Sequence, residues 1–161
     1  MPLKNIKPYD FAWMSQAIHL AIPKQEDMQL TQTQMVYNSD RKKNALLMLH
    51  GFSSSAAVFR LMIPKLTHYD CIYTPTLEGH GKSIAHFAKA TPKDWMRDAE
   101  HAFKVLKEQF EYVDVLGLSL GGLLACHMIH KHPIRRLFLL APALALASNL
   151  SFLREIAKAC K

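Results

Sequence analysis

The stretch that decides the fold is YVDVLGLSLGGLLACHMIH, residues 112–130. Residues 112–116 are apolar apart from one aspartate, a pattern typical of a strand that is covered on both faces. Residues 117–122, GLSLGG, predict a tight turn, and residues 123–130 predict a helix that ends before Pro133. A strand that leads through a tight turn into a helix is the unit from which parallel sheets are built.

The rest of the chain repeats this alternation of strands and helices. Further strands are predicted at residues 28–38, 45–49, 70–75 and 134–140. Helices are predicted at residues 56–66, with Ser53 to Ser55 as N-cap candidates, and from Thr91-Pro92 onward. Strands that alternate with helices predict an α/β fold: a mostly parallel, doubly wound sheet with right-handed crossovers and helices on both faces.

Ser119 lies at the centre of the pattern G-x-S-x-G, between Gly117 and Gly121. A serine on a sharp strand-to-helix turn has a strained backbone, so its hydroxyl projects from the sheet, and the two glycines leave room for the close approach of the chain. The helix that follows offers N–H groups at the place where negative charge would develop. The pattern predicts a catalytic nucleophile, and its alternative is a plain glycine-rich turn.

A second motif, His50-Gly51-Phe52, follows the strand at residues 45–49. An oxyanion hole takes one backbone N–H from such a loop and another from the residue after the nucleophile. A carbonyl group attacked by Ser119 would therefore place its oxygen between the N–H groups of Phe52 and Leu120. His50 could be a general base, but a histidine that precedes a turn more often orients the loop.

Five segments together resemble the α/β-hydrolase superfamily, and within it the bacterial carboxylesterases and monoacylglycerol lipases. They are LLMLHGFSSS at 46–55, EGHGKS at 78–83, TPKDWMRD at 91–98, GLSLGG at 117–122 and FLLAPAL at 138–144. They occur in the family's order and cover roughly residues 30–145. The resemblance implies a cofactor-independent serine esterase that forms an acyl-enzyme on Ser119, with the Phe52 and Leu120 amides as its oxyanion hole. The implied substrates are small carboxylic esters with short to medium acyl chains, or monoacylglycerols.

The chain departs from the family after the nucleophile. Family members supply an Asp or Glu and then a His on later loops. Here the candidates are Glu155 and three histidines that all precede it, His127, His130 and His132. None fits that order, so the triad acid and base are unknown, and the sequence predicts an impaired hydrolase. The alternative is a non-catalytic remnant or interaction module of a truncated or frameshifted hydrolase.

The sequence pattern and the resemblance together divide the chain into three parts. Residues 1–27 are predicted to be an N-terminal arm or helix, residues 28–145 the nucleophile half of the hydrolase core, and residues 146–161 the start of a truncated cap. The apolar strand at residues 134–140 would then be a sheet edge open to self-association.

Charge and cysteine content exclude other classes of protein. The net charge is +7, from 20 basic and 13 acidic residues. Lys131, Arg135 and Arg136 are nevertheless separated from other basic residues by apolar runs, so a solvated helix end and loop is favoured over a nucleic-acid site. The three cysteines form no C-x-x-C pair, which indicates reduced thiols in a cytoplasmic protein. No apolar run reaches the length of a membrane span.

Two further motifs suggest ligands but are incomplete. Gly81-Lys82-Ser83 resembles the end of a phosphate-binding loop, but Thr76 stands where that motif has its first glycine. The three histidines at 127, 130 and 132 could bind a metal, but exposed histidines at a helix end, which the helix dipole favours, are the better account, so no metal site is predicted.

Overall fold

A computed structural model describes residue 29 and residues 31–143 of the chain. These residues form a five-stranded sheet in the order β1-β3-β2-β4-β5, in which β1 is antiparallel to β3 and the other neighbours are parallel. The mostly parallel α/β fold is thus confirmed. The strands are β1 (Gln34–Tyr37), β2 (Asn44–Leu49), β3 (Cys71–Thr74), β4 (Tyr112–Leu118) and β5 (Leu137–Leu140), and the α-helices are α1 (Ile84–Phe87), α2 (Pro92–Lys107) and α3 (Leu120–Met128).

The central strand β2 is covered on both faces, as its continuous apolar sequence predicts. Ala45, Leu47 and Leu49 lie in one hydrophobic cluster with residues of α2 and α3. Leu46 and Met48 lie in a second cluster, together with Phe59 and Ile63 from short helical segments on the opposite face. Successive side chains of a strand point to opposite faces, so β2 joins the two halves of the core.

Helix α2 begins where the sequence predicts. The Thr91 side chain accepts a hydrogen bond from the backbone of Asp94, and the Asp94 carboxylate accepts one from the backbone of Thr91, which together form a capping box. Pro92 is the first helical residue. Trp95, Ala99 and Phe103 face the core from this helix.

The helix predicted at residues 56–66 is wrong. The chain instead forms two short 3₁₀ segments, Ala56–Phe59 and Ile63–Lys65. Pro64 lacks the N–H that an α-helix needs there, and its ring would clash with the preceding turn. Ser55 makes no capping bond, and the hydroxyls of Ser54 and Ser55 are buried with no hydrogen-bond partner.

Arg135 and Arg136 lie in an exposed loop before β5, as the sequence predicts, and both also pair with a buried aspartate. Arg135 donates two hydrogen bonds to the fully buried carboxylate of Asp114, at 2.8 and 2.9 Å, and Arg136 donates one at 3.1 Å. The Tyr69 hydroxyl donates a further bond to Asp114 at 2.8 Å. A carboxylate inside an apolar strand requires such partners, because an unpaired buried charge is strongly unfavourable. Lys131 pairs with Glu100 at 3.3 Å.

Several predictions fall at or beyond the limits of the described residues. The N-terminal arm (1–27), the cap segment (146–161), Glu155 and Cys160 lie outside them. Strand β1 covers four residues of the predicted 28–38, and β5 covers four of the predicted 134–140. Among the helices of the described part of the chain, none has the length and hydropathy to cross a membrane.

Candidate active site

Ser119 occupies the sharp turn between β4 and α3. Strand β4 ends at Leu118 and α3 begins at Leu120. The turn predicted over residues 117–122 therefore consists of one residue, Ser119. The backbone of Ser119 has φ +52° and ψ −111°, in a region that residues with a side chain rarely adopt. Such strain persists where the surrounding structure enforces it, and it concentrates at functional sites.

Two glycines allow this turn, as the sequence predicts. A Cβ atom on Gly121 would collide with the Leu49 carbonyl oxygen at the end of β2. A Cβ atom on Gly117 would collide with the Gly121 carbonyl and with Gly122 Cα at 2.5 Å. Helix α3 therefore starts directly against the sheet, at the carboxyl ends of its parallel strands. Ligands of open α/β sheets bind at that edge.

The loop after β2 meets Ser119 in one pocket. A cavity of about 250 Å³ is lined by Gly51, Phe52, Ser53, Ser54, Val58, Leu118 and Ser119. Leu120 follows Ser119 as the first residue of α3, and the first N–H groups of a helix have no acceptor within it. Ser53 also has a positive φ, +55°. The structure thus brings together Ser119 and the two segments that carry the Phe52 and Leu120 amides.

His50 is fully buried and holds this loop in place. Its Nε2 lies 3.0 Å from the backbone N of Leu77, which can only donate, so Nε2 is the acceptor. Its Nδ1 then carries the proton and donates to the Gly51 carbonyl at 2.8 Å. Burial, together with the nearby His80, lowers the pKa of His50 to about 3. Both ring nitrogens are engaged and the ring is neutral, so the geometry favours the orienting role over that of a base.

His80 is a residue of this site that sequence reasoning missed. It is buried, and its ring lies 4.9 Å from that of His50 and 5.4 Å from that of Trp95. Burial lowers the pKa of His80 to about 4. Its Nδ1 contacts the Glu78 carbonyl at 3.2 Å, while its Nε2 is buried with no hydrogen-bond partner. In the sequence, His80 lies in the segment EGHGKS. That segment contributes to the family resemblance, but it does not by itself assign a role to its histidine.

The loop that carries His80 is tied to α2. The indole N–H of Trp95 donates to the Glu78 carbonyl at 3.0 Å, and the Glu78 N–H donates to the Asp98 carboxylate at 2.7 Å. In the same loop, Lys82 pairs with Glu78 at 3.7 Å, and the Ser83 hydroxyl contacts His86 Nδ1 at 2.8 Å. These contacts give the Gly81-Lys82-Ser83 segment a structural role at the start of α1.

The later histidines lie elsewhere. His127 is half-buried and lines a groove between α2 and α3, and His130 is exposed. His132 packs on Phe103, with ring centroids 5.0 Å apart, and lies 3.9 Å from Glu100. Over residues 31–143, no histidine is hydrogen-bonded to the Ser119 hydroxyl, and no group of three or more His, Cys, Asp or Glu side chains could hold a metal ion.

Comparison with known proteins identifies relatives among ester hydrolases. A family model described as "Serine aminopeptidase, S33" matches residues 40–161. A carboxylesterase of Bacillus subtilis (strain 168) is 33% identical over 94 residues, which cover 56% of this chain and 38% of that protein. A thermostable monoacylglycerol lipase of Bacillus sp. (strain H-257) is 30% identical over 91 residues, which cover 55% of this chain and 36% of that protein. The aligned part therefore spans well under half the length of these relatives.

A solved structure extends the likeness to the fold. One structure, described under "LipS and LipT, two metagenome-derived lipolytic enzymes", superimposes with a TM-score of 0.68 at 26% identity. The match covers 74% of this chain and 49% of that one. The matched part of this chain thus corresponds to about half of that longer chain.

Proposed function

Because the chain belongs to the serine aminopeptidase S33 family of α/β-hydrolases, we propose that it carries the nucleophile and oxyanion hole of a carboxylic ester hydrolase. The nucleophile is Ser119, and the oxyanion hole is formed by the amides of Phe52 and Leu120. The observation that supports this most is the strained backbone of Ser119, whose side chain lines one pocket with the Gly51-Phe52 loop.

The chemistry would follow the acyl-enzyme route. The Ser119 Oγ attacks the ester carbonyl carbon and gives its proton to a base, while the carbonyl oxygen gains negative charge between the two amides. The tetrahedral intermediate expels the alcohol, which takes up a proton, and water then hydrolyses the acyl-enzyme. Removing one oxyanion donor typically costs about 2.7–4 kcal/mol of transition-state stabilisation. No step requires a cofactor.

The substrate proposed is a small-molecule ester with a short to medium acyl chain. The relatives are named for the hydrolysis of carboxylic esters: a carboxylesterase, a monoacylglycerol lipase and a pimeloyl-[acyl-carrier protein] methyl ester esterase of Vibrio parahaemolyticus. Monoacylglycerols and simple alkyl esters are therefore the first candidate substrates.

We propose that the 161-residue chain by itself is an impaired catalyst, because a serine hydroxyl needs an adjacent base to become a good nucleophile. His50 has both nitrogens engaged, and His127, His130 and His132 lie on or beyond α3. In serine proteases that lose triad members, binding and the oxyanion hole still leave about 10³–10⁴-fold acceleration over water. We expect a residual activity of that kind.

A fluorophosphonate probe tests the proposal directly. We expect slow labelling of Ser119 in the wild-type chain and none in Ser119→Ala. Added imidazole should accelerate the labelling in proportion to its concentration, because it supplies the missing base. The matched control is 1-methylpyrazole, an aromatic of similar size and much weaker basicity. A folded chain that stays unlabelled with and without imidazole would refute the proposal.

The alternative proposal is a non-catalytic remnant or interaction module. The engagement of both His50 nitrogens favours it, since His50 therefore cannot accept the serine proton. Complete absence of labelling under all the conditions above is the result that this alternative predicts.

We also propose that the chain self-associates through β5. This strand pairs with β4 on one side, and Phe138, Leu139 and Leu140 are 37–40% exposed. Among the residues that the structure describes, no strand pairs with the other edge of β5, and an apolar edge of this kind invites pairing with a second copy. Light scattering should show association that depends on concentration and is reduced by Phe138→Lys. Leu61→Lys changes a 71% exposed leucine away from the sheet edge and is the control. A monomer at every concentration would exclude this proposal.

A cytoplasmic location is proposed from the thiols. Cys71 and Cys126 are free, and burial raises the pKa of Cys71 to about 11, so this thiol stays protonated and unreactive.

A further inference from the structure

A second cavity lies between helices α2 and α3. It is a groove of about 480 Å³, called here the α2–α3 groove. It has no lining residue in common with the pocket at Ser119, so the proposed ester hydrolysis gives it no role. Sites for small molecules are concave and of this size, with an apolar lining and a few polar groups that orient the ligand. The lining of the groove therefore indicates which kind of molecule it fits.

The floor of the α2–α3 groove is apolar. Leu124 of α3 is 1% exposed and belongs to the core cluster. Met96 of α2 is half-buried and packs against the same cluster, and Pro92 lies one turn before it. An apolar group of a ligand that covers these side chains would gain free energy from leaving water.

The rim of the groove is strongly basic. Four lining residues carry a permanent positive charge, and one, Glu100, carries a negative charge. Two lining histidines, His101 and His127, add further N–H donors. The positive residues are Lys93, Arg97, Lys104 and Lys131. This excess of positive charge favours an anionic ligand over a neutral or cationic one.

The basic groups converge where the last turns of the two helices form one end of the groove. His101 and Lys104 lie three residues apart on α2, so their side chains are neighbours on one face. His127 lies in the last turn of α3, and Lys131 lies in the turn that follows it. These four residues, called here the cationic end, line the groove from both helices.

Among the described residues, Lys104 has no acidic partner. The Lys131 ammonium lies 3.3 Å from the carboxylate of Glu100. Lys104 is exposed, and within residues 31–143 it takes part in no ion pair. Burial lowers the pKa of His132, and the charges of Lys104 and Lys131 lower it further against an opposing carboxylate. Both ammonium groups therefore act on the same part of the surface.

We propose that the α2–α3 groove binds an organic phosphate monoester, with its phosphate at the cationic end and its apolar body on Met96 and Leu124. Lysine binds phosphate as a point charge, and a histidine ring N–H donates to phosphate oxygens. A volume of 480 Å³ holds about sixteen groups of the size of a water molecule, each of about 30 Å³. A phosphate with a body of about ten carbon atoms therefore fits the groove.

Three ligands test whether both halves of the groove take part. The full 161-residue chain is titrated with 2-naphthyl phosphate, with 2-naphthol and with inorganic phosphate, and binding is measured by equilibrium dialysis. The naphthyl phosphate should bind about tenfold more tightly than either fragment, and 0.5 M NaCl should weaken its binding several-fold by screening. Equal binding of 2-naphthol, or no binding of the naphthyl phosphate, would overturn the proposal.

Two lysine variants show where the phosphate binds. Lys104→Gln should weaken the binding of 2-naphthyl phosphate about fivefold, because it removes the unpaired charge of the cationic end. Lys107→Gln removes the same charge from an exposed position of the same helix, outside the groove lining, and should leave binding unchanged. Equal weakening in the two variants would show attraction by the net charge alone and would overturn the proposal.

Two methionine variants show where the apolar body binds. Met96→Gln makes the floor of the groove polar at nearly constant volume and should weaken the binding of 2-naphthyl phosphate about threefold to tenfold. Met62→Gln makes the same change at a half-buried position on the opposite face of the sheet and should leave binding unchanged. An unchanged affinity in folded Met96→Gln would contradict the placement of the body.

This proposal is independent of the proposed hydrolysis. Ser119→Ala should bind 2-naphthyl phosphate as the wild-type chain does, because Ser119 does not line the groove. Loss of binding in folded Ser119→Ala would place the ligand at the nucleophile and would overturn the proposal.

Discussion

Gly51 lies directly against Ser119: a Cβ atom added to Gly51 would lie 3.3 Å from Ser119 Cβ and 3.9 Å from Ser119 Oγ. The first distance is tighter than ordinary van der Waals contact, so the serine would have to move by a few tenths of an ångström. The loop that follows β2 is therefore packed against the nucleophile at van der Waals distance.

Gly51→Ala should slow the fluorophosphonate labelling of Ser119 about tenfold, because small displacements of a reacting group reduce rates steeply. Thermal unfolding should change by a few degrees at most. Ser54 lines the same pocket, and Ser54→Ala adds no atom there. This variant should therefore be labelled at the wild-type rate. An unchanged rate in Gly51→Ala would show that the contact does not position the hydroxyl.

Arg135→Ala should lower the free energy of unfolding by roughly 2–3 kcal/mol, because it leaves the buried Asp114 carboxylate with fewer donors. The loss stays below the full cost of an unpaired buried charge, since Arg136 and Tyr69 still donate to Asp114. Urea unfolding measures the change. Lys131→Ala, which removes a surface ion pair, should cost less than about 1 kcal/mol, and an equal loss in both variants would contradict the assignment.

Thr91→Ala should destabilise the chain by about 1 kcal/mol, because it removes the side-chain acceptor that caps α2. Thr91→Ser keeps the hydroxyl and should restore most of the stability. The measurement is thermal unfolding followed by circular dichroism. Equal melting temperatures for the alanine and serine variants would show that the cap does not contribute.

Stability should fall with acid from about pH 6.5 downward. Burial lowers the pKa of His50 to about 3 and that of His80 to about 4, so between those values and 6.5 the unfolded chain binds more protons than the folded one. Each histidine then contributes a loss of up to about 1.4 kcal/mol per pH unit. Urea unfolding at pH 7, 6 and 5 measures this slope.

His80→Gln should reduce that slope by about half, and His130→Gln, at an exposed position, should leave it unchanged. A free energy of unfolding that is constant between pH 6.5 and pH 5 would show that the two buried histidines do not stay neutral in the folded chain.

A second loss of folding stability should begin near pH 3.8, the ordinary pKa of an aspartate. The hydroxyl of Ser39 and the backbone N–H of Asn44 hydrogen-bond Asp70 and lower its pKa, so its stabilising contribution is present above pH 3.8 and disappears as the pH falls through the lowered value. Ser39→Ala should therefore raise the pH of acid unfolding. A midpoint that does not move would exclude this bond as a cause.

Local patterns were sufficient for most of the elements and for the turn at Ser119. The apolar run of β2, the cap of α2 and the glycines around Ser119 each act through neighbours in sequence or through backbone geometry, which a pattern of residues records directly. The helix predicted at 56–66 does not form, because the missing N–H and the ring of Pro64 exclude a continuous α-helix there.

The sequence by itself determined the mostly parallel sheet and the sharp turn at Ser119, since alternating strand and helix patterns and glycine spacing are local properties. The tertiary structure alone decided the partners of the buried polar groups: Arg135 and Arg136 on Asp114, the two hydrogen bonds of His50, and the place of His80 among aromatic rings. It also decided that Phe52, which lines the pocket at Ser119, lies against the rings of Phe87 and Trp95. Such contacts join residues far apart in the chain, and a buried polar group takes whichever donor or acceptor the packed fold brings within reach.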